Sequence, residues 1–272
     1  MDEFESYGDF AYVYDELMDN TPYEKWCERI VELIAKYGVS KPERDSEDVL
    51  DSEKNLVLDL GCGTGTLTEM LYKKGFDCMG VDMSQSMLSV AYEKRERSGA
   101  EILYLCQDMR ELDLYSTVGT VVSVCDSVNY ILEDEELKKV FSSVNDYLYP
   151  EGIFIFDFNT DHKYRDCIGD STISENREDC SFIWENEYDP EEEINEYDLT
   201  VFVREEGDLF RRFQETHLQR GYSVETMRKI VKESGLDPVL MMDSDSEGEV
   251  TAKSERVLVV AKKGKNANNN FA

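Results

Sequence analysis

The most constraining stretch of this sequence is Val57-Leu58-Asp59-Leu60-Gly61-Cys62-Gly63-Thr64-Gly65, a short apolar run that breaks into glycine at alternate positions and then into helix formers. An apolar run of this length ending in glycine reads as a buried strand, and a strand entering a helix through a tight turn is an α/β unit. Glycine there lets the backbone take positive φ and lets a ligand approach the amides without meeting a Cβ. Taken alone, the stretch requires no more than a tight strand-to-helix turn.

The surroundings extend the unit into a series. Strands are expected near 56–60, 77–81, 102–106, 120–125 and 153–158, with helices near 66–74, 84–98 and 134–148 between them. Ser84 suits an N-cap, Gly75 and Gly99 suit C′ positions, and Pro150-Glu151-Gly152 separates the last of these helices from the fifth strand. Such alternation predicts an α/β fold with a doubly wound, mostly parallel sheet covered by helices on both faces. Ahead of it, Thr21-x-x-Glu24 reads as a capping box opening a helix over 22–37, with Trp26, Ile30, Leu33 and Ile34 as its apolar stripe. Residues 39–54 are charged and read as an exposed connection.

After Asn159 the rhythm changes. Residues 160–180 read as polar loop, and 181–221 as three β segments with turns at Asp189-Pro190 and Glu206-Gly207-Asp208, a small antiparallel β insertion. Helical spacing returns over 224–234, and strand-like runs at 237–242 and 256–262 follow. The expected division is 1–54 for an N-terminal cap helix and linker, 55–160 for a ligand-binding core, 161–222 for the insertion, 223–263 for a helix and strands completing the core, and 264–272 for a tail. At 272 residues the chain accommodates one core of about 200–250 residues with an insertion.

Composition narrows the function classes. With 41% hydrophobic and 33% charged residues the chain reads as folded and water-soluble, and no apolar stretch approaches a membrane-spanning length. Its N-terminus lacks the basic-then-apolar pattern of a secretory signal, so a cytoplasmic location without membrane association is expected. The net charge of −31 would repel a nucleic-acid backbone, so no nucleic-acid partner is expected. Seven cysteines without a CxxC pair read as reduced thiols, and two histidines, His162 and His217, without ligand spacing give no expected metal site.

The glycine spacing disfavours a dinucleotide and, more firmly, excludes a Walker-type phosphate loop. A dinucleotide turn places its third glycine or alanine one position later, where this chain has Thr66, and no GKS or GKT follows for a Walker loop. Two more acids follow the next two strands. Asp82 ends Gly80-Val81-Asp82-Met83-Ser84, where two carboxylate oxygens suit a vicinal diol, and Asp108 lies in Cys106-Gln107-Asp108-Met109. Either acid is also an ordinary turn or cap residue, but three acids after successive strands all fall where open α/β sheets bind ligands.

An acid followed by GxGxG, with these two further acids, resembles the class I S-adenosylmethionine-dependent methyltransferases over roughly residues 55–160. The resemblance implies a Rossmann-like fold and S-adenosylmethionine as cofactor. Asp59, Gly61, Cys62, Gly63 and Gly65 would meet its amino-acid end, Asp82 its ribose, and Met83, Asp108 and Met109 its adenine. It also implies that Cys125 lies near the cofactor, and that the run from Tyr7 to Asp15 closes over it, with Tyr7 and Tyr14 in contact. Asp126, Ser127 and Asn129 can orient an acceptor, although Ser and Asn equally serve as caps. The Asn-Pro-Pro-Tyr signature of nucleobase and glutamine methylation is absent.

In small-molecule members an antiparallel piece covers the acceptor. Here that piece carries Trp184, His217 and Arg220, with Trp184 and Arg220 as candidate acceptor contacts and His217 either a general base or a packed residue. The expectation is therefore a methyltransferase acting by direct in-line transfer to a small-molecule acceptor. The alternatives are a nicotinamide-dependent oxidoreductase and a non-catalytic S-adenosylmethionine-binding regulator.

Overall fold

Alternation along the central strands explains the layering. In the computed structural model, which describes residues 11–43, 49–205 and 207–264, Leu58, Leu60, Phe154, Phe156 and Phe158 face one side of the sheet. Their neighbours Val57, Ile153 and Ile155 face the other, so these strands are apolar on both faces and must be covered twice. One cover is α6 (Asp134–Tyr147) with α7 (Val224–Glu233), where Phe141 packs 4.8 Å, ring to ring, from Phe156. The other includes α2 (Tyr23–Tyr37), α4 (Thr66–Lys73) and α5 (Gln85–Ser98), through Ile30, Leu33, Leu71 and Leu88.

The strands are β1 (Leu56–Leu60), β2 (Asp77–Asp82), β3 (Leu103–Cys106), β4 (Val118–Ser123), β5 (Leu148–Asn159), β10 (Leu236–Asp243) and β11 (Arg256–Lys263), in the order β10-β11-β5-β4-β1-β2-β3. The pairs β1·β2, β2·β3, β1·β4 and β4·β5 are parallel, and β11 runs antiparallel to both its neighbours. The order reverses at β1, between β2 and β4, which opens a crevice at the carboxyl ends of those strands. A second sheet, β6-β7-β8-β9, is formed by Thr172–Asn176, Cys180–Asp189, Ile194–Arg204 and Phe210–Arg220, all antiparallel. It packs on α1 (Ala11–Leu17) and α5 through Tyr197, Leu199, Val201, Ala11, Val13 and Met87.

Several local expectations differ from the structure. Helix α2 begins at Tyr23 without a side-chain cap, because the Thr21 hydroxyl donates instead to the Met18 sulfur at 3.7 Å. Cys27, rather than Trp26, completes its buried stripe. The segment 39–54, read as an exposed connection, carries α3 (Val49–Asn55) and is pinned by Ser40, whose hydroxyl meets Thr120 on β4 at 2.8 Å and Lys54 O at 3.0 Å. Strand β5 starts at Leu148 and crosses Pro150 by shifting register against β4, with Glu151 in the left-handed region. The stretch 160–180, read as loop, forms a π-helical turn over Lys163–Ile168 and β6. Tyr7 lies outside the described residues. Among the described residues no helix is long and apolar enough to cross a membrane.

Candidate functional site

The glycine turn after β1 is built by its backbone. Gly61, Gly63 and Gly65 all have positive φ, at 78°, 53° and 73°. The amides of Gly61 and Cys62 donate to Val81 O at 2.7 and 3.0 Å, tying the turn to the neighbouring strand. A Cβ on Gly61 would lie 2.7 Å from the Ser127 hydroxyl, whereas one on Gly63 would meet nothing within 4 Å. The turn therefore presses against the loop after β4 on one side and opens into the crevice on the other.

Two acids organise this turn. Asp82, at the end of β2, accepts from Gly63 N and Ser84 N, both at 2.8 Å, one on each carboxylate oxygen. Burial raises its carboxyl above the ordinary range against the lowering effect of those amides. Asp59 is 3% exposed and accepts from the Thr68 hydroxyl at 2.6 Å. Burial pushes it up to about 7, the Thr68 bond opposes the shift, and the nearby Asp82 charge adds to it.

A third acid, paired with an arginine, stands on the adenine side expected from the sequence. Asp108 accepts from Arg110 N at 2.9 Å and holds the Arg110 guanidinium through Nε at 2.9 Å and Nη2 at 2.5 Å. Burial works to raise the Asp108 carboxyl, but the bonds from Arg110 outweigh it and hold it below the usual range. Arg110 also faces Glu136 at 3.7 Å.

The crevice forms a cavity of about 480 Å³, within the span of about 300–1,000 Å³ typical of small-ligand sites. Every expected cofactor residue described lines it except Gly65: Asp59, Gly61, Cys62, Gly63, Asp82, Met83, Asp108, Met109, Tyr14 and Cys125. Gly65 N-caps α4 from behind, with its open side against Tyr104 and Ala91. Tyr14 Oη lies 3.9 Å from the Cys125 sulfur, and burial, followed by the Asp126 charge, raises that thiol to about 11.

Of the expected acceptor residues, Ser127 lines the cavity and the others are placed differently. Asp126 has φ 52° and is bound by Gln219 Nε2 at 2.6 Å and Arg256 Nη2 at 3.3 Å, with its amide donating to Asp157 at 2.9 Å. Asn129 is fully buried and spans three backbone groups: its amide donates to Asn159 O at 2.9 Å and Arg220 O at 2.6 Å, and its carbonyl accepts from Asn159 N at 2.9 Å. Arg220 pairs with Asp134 at 2.9 Å and Glu193 at 3.2 Å and donates to Leu132 O. Trp184 packs on Tyr197, with ring centroids 4.9 Å apart. None of these four is among the described residues lining the cavity; the first three hold the loop after β4 and the ends of the second sheet.

His217 alternates with Thr216 and Leu218 along β9, and those two line the cavity while His217 points to the other face. It is 2% exposed, stacks on Tyr197 at 4.8 Å, and places Nδ1 3.2 Å from the Tyr130 hydroxyl and Nε2 3.4 Å from Glu215. Tyr130 lines the cavity and also meets Tyr197 Oη at 2.9 Å.

Sequence reasoning missed several contributors. Asp15 accepts from Thr64 Oγ1 at 2.6 Å and Thr66 Oγ1 at 3.1 Å and forms an ion pair with Lys94, so it docks α1 onto the glycine turn. Tyr23, Arg110, Tyr130, Glu196, Thr216 and Leu218 also line the cavity. An acid near the aromatic run was the available signal for Asp15; for the strand residues the signal was the alternation of β8 and β9, which needs the packing partner to be known.

The residues fit an adenosyl-sulfonium ligand on structural grounds. Each Asp82 oxygen keeps a lone pair beyond its amide bond, and the residue is only half-buried at the cavity wall, as a diol acceptor requires. Gly63 leaves room for close backbone approach, and Met83 and Met109 offer polarizable apolar surface to a base.

Comparison with known proteins agrees with this chemistry. The methyltransferase domain family matches residues 57–152. YqeM of Bacillus subtilis (strain 168), classed with the methyltransferases, is 36% identical over 260 residues, 95% of this chain and 98% of that protein. The dTDP-3-amino-3,4,6-trideoxy-alpha-D-glucopyranose N,N-dimethyltransferase of Streptomyces venezuelae is 34% identical over 105 residues, 39% of this chain and 43% of its own length. The crystal structure of an S-adenosylmethionine-dependent methyltransferase from Clostridium acetobutylicum ATCC 824 superimposes with a TM-score of 0.82 at 31% identity, over 95% of this chain and 99% of the other. With its glycine turn flanked by Asp59 and Asp82, the chain, matched over 95% of its length by YqeM and by the Clostridium acetobutylicum enzyme, belongs to the S-adenosylmethionine-dependent methyltransferases.

Proposed function

We propose that this enzyme methylates a small-molecule acceptor held between the loop after β4 and the second sheet. The observation that carries the reading is the extent of the cavity: it begins at Gly63 and Asp82 and reaches Tyr130, Leu132, Glu196, Thr216 and Leu218, so one continuous space serves cofactor and acceptor. Its size suits a small ligand, and the net charge of −31 disfavours a nucleic-acid acceptor. The Streptomyces venezuelae relative, named for an amino-sugar nucleotide, supports an acceptor of that size class. Lack of a long apolar helix among the described residues is compatible with a cytoplasmic enzyme.

Bound S-adenosylmethionine supplies a methyl group already activated by its sulfonium, for in-line displacement by the acceptor heteroatom. The chain's own part is then to position, to exclude water and to receive a proton. Asp82 and the turn amides fix one partner, and Tyr14 and Cys125 stand at the junction. Tyr130, with its hydroxyl 3.2 Å from His217 Nδ1 and Glu215 beyond Nε2, is placed to pass an acceptor proton to His217. In this reading His217 acts through Tyr130, and Asp126, Asn129 and Arg220 act by holding the loop that carries Tyr130.

Calorimetric titration with S-adenosylmethionine, S-adenosylhomocysteine and NADH tests the cofactor half, with binding of the first two expected and none of NADH. The acceptor half is tested by transfer of a labelled methyl group to a panel of small amines, alcohols and thiols beside oligonucleotides and unfolded protein. Label confined to macromolecules would overturn the small-molecule reading. With an identified acceptor, Tyr130→Phe should lower kcat by about tenfold or more and leave cofactor affinity unchanged.

A further inference from the structure

A second constellation of reactive side chains lies away from the cavity, on the π-helical turn between β5 and β6. We propose that Cys167 is a nucleophilic thiol site, served by His162 as base, which reacts with small disulfides to form a mixed disulfide on this turn.

The geometry is that of a nucleophile, a base and an orienting group. Cys167 is exposed, and its sulfur lies 3.7 Å from His162 Nε2. The other ring nitrogen, Nδ1, lies 2.7 Å from Asp166 Oδ2. A carboxylate accepts only, so Nδ1 carries the proton and Nε2 is left as an acceptor for the thiol hydrogen. Arg165 holds Asp166 in turn, with Nη2 2.8 Å from Oδ2 and Nε 3.2 Å from Oδ1, and is itself paired to Asp161 at 3.0 Å.

The backbone conformation makes this meeting possible. His162 and Cys167 are five residues apart, a separation that an α-helix rotates off a common face and a π-helical turn restores. The turn is closed by the Gly169 amide donating to Tyr164 O at 2.7 Å, again across five residues, and Gly169 follows at φ 52°. Tyr164 anchors it from inside, accepting from Asn159 Nδ2 at 2.9 Å and donating to Gln219 at 2.8 Å.

The charges around the sulfur decide how it reacts. Burial, then the Glu255 carboxylate through its charge and a hydrogen bond with the thiol, and then Asp166 raise the thiol above its ordinary range, with Lys163 opposing them. A thiol in these surroundings needs a base to take its proton as it attacks. In the proposed step the Cys167 proton passes to His162 Nε2 as the sulfur attacks one sulfur of the disulfide. The new S–S bond forms, the old one breaks, and the departing thiolate takes the proton from His162, so no further oxidant is needed.

The test uses the full chain and the neutral probe 2,2′-dithiodipyridine, which the negative protein does not repel, with peptide mapping to separate the sites. Cys106, also exposed and remote from either histidine in sequence, is the internal control. In H162Q the Cys167 rate should fall by about tenfold relative to the unaltered chain, with Cys106 unchanged; D166N should fall between. Retained S-adenosylhomocysteine binding shows that each variant is folded. Equal Cys167 rates with and without His162 overturn the proposal, as does loss of the Cys106 and Cys167 rates in parallel.

Discussion

The two walls of the cavity differ in how closely their lining follows from local sequence. On the parallel-sheet wall, Asp59, Gly61, Gly63, Asp82 and Asp108 line the cavity, because their positions follow from short backbone turns at strand ends. On the opposite wall, Asp126, Asn129, Trp184 and Arg220 are engaged in the scaffold, and Tyr130, Glu196, Thr216 and Leu218 face the space instead. A residue whose role is set by its own turn can be located from local sequence. One whose role depends on which face of a strand meets which partner cannot.

Four sets of substitutions test this comparison. The scaffold reading of Asp126 rests on Arg256, whose Nε lies 3.1 Å from the buried Asp157 and whose guanidinium covers Trp26 at 4.7 Å. Replacing Arg256 by Gln leaves two carboxylates without their cation and should destabilise the fold by about 3–5 kcal/mol in urea unfolding. Full stability with lost acceptor turnover would place this cluster in the chemistry rather than the scaffold.

The cofactor wall is tested by Asp82→Ala. Loss of a charged acceptor should cost about 1.5–3 kcal/mol of binding, a roughly tenfold to hundredfold rise in the Kd for S-adenosylhomocysteine by calorimetry. Unchanged affinity in a folded variant removes Asp82 from the site.

Asp59 gives a pH signature. Its carboxyl rises from 3.8 to about 7 on folding, so between these values the folded chain keeps a proton that the unfolded chain has released. The corresponding stabilisation is fully present below the unfolded value and is lost as pH rises through about 7, with a slope of up to about 1.4 kcal/mol per pH unit. Subtracting the stability profile of Asp59→Asn from that of the unaltered chain should isolate this fall; a flat difference would show Asp59 to be charged throughout.

The smallest effect concerns helix starts. Ser84 accepts from Met87 N at 3.3 Å and Thr21 caps nothing, although both matched a cap signature in the sequence. Ser84→Ala should lower stability by about 1 kcal/mol and Thr21→Ala by less than about 0.5 kcal/mol in thermal unfolding. Equal losses would mean that the sequence signature describes α2 better than the structure does.

What the sequence by itself determined is the part written in short-range periodicity. Double-sided apolar strands such as Ile153–Phe158 demand two helical layers, glycines at alternate positions permit a tight strand-to-helix turn, and acids at successive strand ends gather at one edge of the sheet. Tertiary structure alone decided the rest. Ser40 and Thr120, 80 positions apart, convert a charged linker into a packed segment; the π-helical turn brings His162 to Cys167; and β9 turns His217 inward to Tyr130 while Thr216 and Leu218 face the cavity. Each depends on contacts between distant segments, where the free energy of burying a side chain against a particular partner, rather than any local preference, selects the face and the rotamer.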